Sequence, residues 1–285
     1  MLNLDKARFT STDVRLVTTT TSDGIVLHGA LAGTPVRGGI LAVHGAWGNF
    51  YANPPASLLE SAPELGLSVL SMNGRGHDMG GLDNGAPSIG LLRERLDLAP
   101  IDLGAARDVL VGVGTSRYIV VAHSYGCART TYWLSREPDS RCVGMVLLSP
   151  PPPAKEAWAP IEGFDVEPHF EAARSAVSEG DPHRLILMHQ QGPVPLLASA
   201  GTIVSVWAPG TEAYCEPHIE AIDVPCLVVV GSRESSAFQD AAQRTADLAP
   251  QGQLLVVEDN HFYRRNRDTL TRTVLGWAET NRLWD

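Results

Sequence analysis

Short apolar runs bounded by turn residues recur along the chain and alternate with stretches of helical periodicity. Residues 39–43, 67–72, 118–122, 143–148, 226–230 and 253–257 are rich in Val, Ile, Leu and Ala. Such near-continuous apolar runs are how strands covered on both faces read. Helical patterns at 55–65, 101–113, 125–136, 237–248 and 264–283 fall between and after them. Residues 13–20 and 25–32 predict a hairpin turning at Ser22-Asp23-Gly24. The pattern therefore predicts an α/β fold, a mostly parallel central sheet covered by helices on both faces.

One stretch breaks the pattern. After Pro150-Pro-Pro-Pro153 the regularity lapses until Val224-Pro225. The gap, residues 151–223, is about 73 residues, too long for a plain connection in a compact α/β core. It carries Trp158, Phe164, Phe170, Trp207 and Tyr214 with scattered helical periodicity. We read it as a helical cap inserted over the sheet, which divides the chain into a core of 1–150 and 224–285 and a cap of 151–223. A surface excursion with its own small core is the other reading.

Composition narrows the partners. The 285 residues are 44% hydrophobic and 19% charged, ordinary for a globular protein. Lys and Arg number 22 against 32 Asp and Glu, a net charge of -10 that repels phosphate backbones and anionic lipid. The densest basic stretch, Arg264, Arg265 and Arg267, reads as the solvated start of a helix. Neither nucleic acid nor a membrane surface is an expected partner, and oligomeric state has no signature in the chain. No apolar run nears the roughly 18 residues that span a bilayer, and residues 1–10 lack the apolar centre of a signal peptide. Cys127, Cys142, Cys215 and Cys226 are scattered, with no metal-ligand spacing. Cys142 and Cys226 each open a predicted strand, yet reduced, buried thiols in a cytoplasmic protein are the expectation.

Chemistry enters at Ala122-His-Ser-Tyr-Gly126, between a buried strand and a helix start. A serine on such a sharp turn is lifted clear of the sheet, and small residues two places either side let strand and helix pass closely. The usual pattern is G-x-S-x-G, and Ala122 replaces its first glycine. Ser124 would be the nucleophile, and the Tyr125 N–H, first in the helix, can face a developing oxyanion. A serine capping a buried helix is the bland alternative. His44-Gly-Ala-Trp-Gly48 follows the strand at 39–43, where Gly45 lets the chain turn and the Ala46 N–H (or that of Trp47) supply a second donor. His44 itself reads as a structural histidine, and Trp47 as a pocket wall or as packing under the cap.

A serine hydroxyl needs a base at neutral pH. Of nine histidines His261 is best placed, after the run 254–257 and before the last helix, at the C-terminal edge of the sheet. The orienting acid should follow a strand between the two. Gly231-Ser-Arg-Glu234 places Glu234 just past the strand at 226–230, with Asp259 and Glu258 as competitors.

With these pieces assembled, the sequence resembles the α/β-hydrolase superfamily over nearly its whole length. The oxyanion loop, the Arg75-Gly-His77 loop, the elbow, the acid loop and Asp259-Asn-His-Phe262 stand in that family's order. Departures are Ala122 for Gly, Glu234 for Asp, and Asn73 where many relatives have Asp. A serine nucleophile separates the chain from the haloalkane dehalogenases and epoxide hydrolases, which use aspartate. The resemblance implies hydrolysis of an ester-type bond through an acyl-enzyme, with no cofactor and no metal. Relatives also cleave thioesters, lactones, amides and carbon–carbon bonds, and the fold does not choose among them. A small or medium, largely apolar ester is the expected substrate, with Trp47, Trp158 and Trp207 as candidate pocket residues. The competing reading from another class is a non-catalytic ligand receptor on the same scaffold.

Overall fold

The most continuous apolar runs become the central strands. The computed structural model describes residues 13–46, 48–75, 77, 94–158, 165–188, 196–265 and 267–284. Residues 1–12, most of the 73–85 loop, Trp47, Phe164 and His189 lie outside them. In chain order the strands are β1 (Val14–Thr20), β2 (Val26–Ala32), β3 (Gly38–Val43), β4 (Leu67–Met72), β5 (Tyr118–His123), β6 (Cys142–Leu148), β7 (Leu185–Met188), β8 (Leu196–Ser199), β9 (Cys226–Gly231) and β10 (Gly252–Val257). The helices are α1 (Leu58–Ser61), α2 (Ala99–Gly112), α3 (Tyr125–Arg136), α4 (Ala154–Trp158), α5 (Glu167–Ser178), α6 (Ala200–Thr202), α7 (Glu216–Ile219), α8 (Ser236–Leu248) and α9 (Arg267–Thr280).

Eight strands form one sheet in the order β1-β2-β4-β3-β5-β6-β9-β10. The β1/β2 hairpin and the β2/β4 pair are antiparallel, and the remaining neighbours are parallel. Side chains alternate between the two faces. Along β5, Tyr118, Val120 and Ala122 join one core cluster, which includes Leu110 of α2, Trp133 of α3 and Ala242 of α8. Ile119 and Val121 join the other, with Leu58 of α1 and Val274 and Trp277 of α9. Each fully buried aliphatic side chain contributes about 1.5–3 kcal/mol, so the apolar run is the physical reason β5 is central. The 55–65 stretch resolves into a 3-10 turn, α1 and a second 3-10 turn opening at Pro63, because each proline interrupts the helical hydrogen bonding.

The connections from β3 set the position of the site. The next strand in sequence, β4, lies on one side of β3, while β5 lies on the other. Such a reversal opens a crevice at the carboxyl ends of the two strands. Val43 pairs with Ala122, so the loop after β3 and the turn after β5 emerge side by side.

Residues 151–223 differ in part from the helical insertion the sequence predicts. They contain α4 to α7 but also an antiparallel pair, β7 and β8. These strands have four residues each, too few for a period-two pattern to stand out. Ser199 caps α6 by accepting from the Thr202 N–H at 3.2 Å. Phe170, Ala173, Ala198 and Ile203 form a small separate core. The last part packs elsewhere, with Cys215, Ile219 and Ile222 inside the main core cluster.

All four cysteines are free and buried. Burial pushes the Cys142 and Cys226 thiols up to about 12. Among the described residues no helix is long and apolar enough to cross a membrane. Nor does any group of three or more His, Cys, Asp or Glu side chains there form a candidate metal site.

Candidate active site

Only one residue separates β5 from α3, and that residue is Ser124. Its backbone sits at φ 53°, ψ -127°, a conformation that costs a residue with a Cβ about 1–3 kcal/mol. Neighbouring structure holds it there. The Ser124 N–H donates to Leu148 O at 2.8 Å, and the Cys127 N–H donates to Ser124 O at 2.8 Å. The turn requires glycine at one flank and not at the other. A Cβ on Gly126 would stand 2.5 Å from His44 O, whereas the Ala122 methyl is buried in the main core cluster. The departure from the usual motif is therefore accommodated by packing.

His261 reaches Ser124 from the loop after β10. Its Nε2 lies 3.1 Å from Ser124 Oγ and its Nδ1 lies 2.7 Å from Glu234 Oε2. A carboxylate can only accept, so Nδ1 carries the donated proton and Nε2 presents its lone pair to the serine hydroxyl. The ring is flanked by Phe238 and His123 at 4.8 Å and by Phe262 at 5.2 Å between centroids. His123 also fixes the backbone of this loop, donating from Nε2 to His261 O at 2.7 Å. Burial lowers His123 to about 3, so it serves as a neutral donor.

Glu234 is almost wholly shielded, with a side chain 2% exposed. Its Oε1 accepts from the Gly231 N–H at 2.8 Å and from Ser149 Oγ at 2.6 Å. Tyr263 Oη stands 2.6 Å from Ser149 Oγ and 3.1 Å from Val229 O, completing a hydroxyl chain to the carboxylate. Ser149 and Tyr263 adopt φ of 51° and 50°. Strained backbone thus gathers around one cluster of side chains. Gly231 has no room for a Cβ, which would lie 2.4 Å from Asp259 O.

The competing acids point elsewhere. Asp259 accepts from the N–H groups of Asn260 and Arg265 at 2.8 and 3.2 Å. Glu258 is exposed and accepts from Arg233 at 2.7 Å. Of the three, Glu234 is the one in contact with His261.

The loop after β3 approaches the serine from the other side. A Cβ on Gly45 would meet the Ser124 Cβ at 2.9 Å, so glycine permits the approach. His44 is fully buried and bonded at both ring nitrogens, Nδ1 donating to Gly45 O at 2.8 Å and Nε2 accepting from the Gly74 N–H at 3.0 Å. Burial holds its proton affinity well below the usual histidine value. Asn73 accepts from the Phe50 N–H at 2.7 Å, a role an amide oxygen fills as a carboxylate would.

Ser124, Ala46, Tyr125 and His261 open onto a cavity of about 580 Å³. Its apolar walls include Pro151, Pro152, Val206, Trp207, Phe238 and Phe262, and the size suits a drug-sized ligand. Val206, Trp207 and Ala213 bring the 151–223 segment against Ala46 and Tyr125. Trp207 thus lies where the sequence expects a pocket residue. Phe170 instead packs the segment's own core, and Tyr214 does not line the cavity. Trp47 and the Trp158 side chain lie outside the described residues. Sequence reasoning missed Ser149, Tyr263 and Phe238. The position of Ser149 directly after β6 gave no separate signal, since its contact with Glu234 depends on the β6/β9 register.

Residues 40–268 match the alpha/beta hydrolase family. No curated protein sequence matches the chain significantly. Among solved structures, the chain is similar to Est1E from Butyrivibrio proteoclasticus with ferulic acid bound, at 17% identity and a TM-score of 0.66, over 93% of this chain and 98% of that one. An esterase of Pyrococcus furiosus is similar at 17% identity and a TM-score of 0.63, over 98% of this chain and 94% of that one. An esterase from a Rhodococcus species follows at 17% and 0.56, over 93% and 98%. These likenesses are of fold, and together with the match over most of its length they place the conclusion beyond the site alone: the chain belongs to the alpha/beta hydrolase family.

Proposed function

We propose that the protein is a serine hydrolase that cleaves a small or medium, largely apolar carboxylic ester through an acyl-enzyme. The observation that carries this reading is the unbroken Ser124–His261–Glu234 hydrogen-bond chain at the wall of an apolar cavity. In this mechanism Ser124 Oγ attacks the ester carbonyl while His261 Nε2 takes its proton. Glu234 keeps the ring in the tautomer that can accept, and stabilises the imidazolium that forms. The Ala46 and Tyr125 N–H groups hold the oxyanion, an effect worth about 10²–10³ in turnover per donor. His261 then protonates the departing alcohol. Water then attacks the acyl carbon while the same nitrogen takes its proton. The bond to Ser124 Oγ breaks to release the acid, and His261 returns the proton to Ser124 Oγ.

The lining supports the substrate class. Aromatic and aliphatic side chains dominate the cavity walls, which favours acyl or aryl groups over sugars or polyanions. The family match and the structural likeness to esterases are consistent with this chemistry. Rapid mixing with an aryl acetate and an aryl hexanoate tests it. The reading expects a burst of the phenol equal to the enzyme concentration, then steady turnover. An absence of hydrolysis across aryl and alkyl esters of both sizes would sink it.

A further inference from the structure

Three polar side chains that take no part in the chemistry above lie buried against the loop that carries Ala46. His77, Glu94 and Arg129 each have side chains only 3% exposed. His77 Nδ1 donates to Gly48 O at 2.9 Å, and its Nε2 lies 3.3 Å from Glu94 Oε2. Glu94 Oε1 is 3.0 Å from Arg129 Nη1, and Arg129 Nη2 donates to His44 O at 2.6 Å. One buried circuit therefore runs from the carbonyl of Gly48, through three side chains, to the carbonyl of His44. Ala46 lies midway along the backbone between those two carbonyls. The circuit is tightly built in, since a Cβ on Gly74 would stand 2.2 Å from Arg129 Nη1.

A buried ion network of this kind adds little net stability, because desolvation offsets most of the attraction. Its geometric effect is larger. Burial raises the Glu94 carboxyl, yet Arg129 and His77 together hold it below its ordinary value, so its link to Arg129 stays ionic. Resting on the serine-hydrolase reading, we propose that His77, tied through Glu94 to Arg129, is a positioning residue that fixes the Ala46 N–H for oxyanion binding. It touches no reacting atom. It acts by gripping the far end of the loop while Arg129 grips the near end.

The two nitrogens of His77 can be tested separately. In His77→Asn the amide nitrogen takes the place of Nδ1 and keeps the bond to Gly48 O. In His77→Gln it takes the place of Nε2, keeps the contact with Glu94 and leaves Gly48 O unbonded. Each variant breaks one of the two links the grip requires. The expected result is therefore a loss in kcat at unchanged KM for both, about 10-fold for Asn and about 10–100-fold for Gln, the scale of a small misplacement of a catalytic group. A wild-type kcat in either variant would overturn the proposal, as would losses seen only in KM or only in melting temperature. If either variant fails to fold, Glu94→Gln replaces the pair: a kcat lowered about tenfold at constant KM supports the circuit, and an unchanged kcat overturns it. Fluorophosphonate labelling of wild-type Ser124 separates the two failures. No labelling sinks the hydrolase reading itself, whereas labelling with wild-type turnover in either variant sinks only the positioning role.

Discussion

Ser149 stands 2.6 Å from Glu234 Oε1 and donates its hydroxyl proton to it, from the first position after β6. The sheet brings the two together. Leu148 pairs with Val229, and the Ser149 N–H donates to Val229 O at 2.7 Å, so the ends of β6 and β9 lie side by side. A hydrogen bond to a charged acceptor is typically worth about 1.5–3 kcal/mol. Ser149→Ala is therefore expected to lower kcat about tenfold, while Tyr263→Phe, one link further out, lowers it about threefold. Steady-state kinetics on one aryl ester checks both. An unchanged kcat in Ser149→Ala would mean that the Gly231 N–H alone orients the carboxylate.

Removing the charge on Glu234 has a larger effect. Glu234→Gln preserves volume but presents the wrong partner to His261 Nδ1, and kcat is expected to fall by about 10²–10⁴. Glu258→Gln, at the exposed competitor, stays within about twofold. Near-normal turnover in Glu234→Gln would transfer the role to Asp259 or Glu258.

His123 gives the fold a sign-definite response to acid. It is neutral in the folded chain, lowered by burial to about 3 from the ordinary 6.5. Below pH 6.5 the unfolded chain takes up a proton that the folded chain refuses, so its contribution is complete above pH 6.5 and is lost as pH falls toward 3. The slope approaches about 1.4 kcal/mol per pH unit from this group. His123→Gln can still donate to His261 O, and its melting temperature should fall less steeply between pH 6.5 and 4 than that of wild type. Parallel curves for the two proteins would rule this out.

Trp207 is half-buried on the cavity wall. Trp207→Ala removes apolar surface that a bulky substrate would cover. The expected outcome is a KM raised about tenfold for a hexanoate or larger aryl ester and less than threefold for an acetate. A uniform change across both would place Trp207 outside the substrate path.

The sheet was legible because a strand buried on both faces must be apolar throughout, as at Tyr118–His123, where all six residues are buried. The serine and acid loops were legible because each follows such a strand, and the histidine loop because it follows the partly exposed edge strand β10 at the same end of the sheet. Ser149 was not, since a serine before a proline reads like any turn residue until the β6/β9 register sets it against Glu234. Tyr263 was hidden for a related reason: its partners lie at Ser149 and Val229, far away in sequence. The β7–β8 pair escaped because four-residue strands carry too little periodicity. Ala122 looked like a defect in the motif, yet the neighbouring packing demands glycine only at Gly126.

The most direct measurement of the central claim is intact-protein and peptide mass spectrometry after treatment with a fluorophosphonate. The account predicts one phosphonyl adduct on wild type, mapped to Ser124, and none on a Ser124→Ala variant with an unchanged melting temperature. A folded wild-type protein that takes up no adduct, or an adduct that persists in Ser124→Ala, would contradict it.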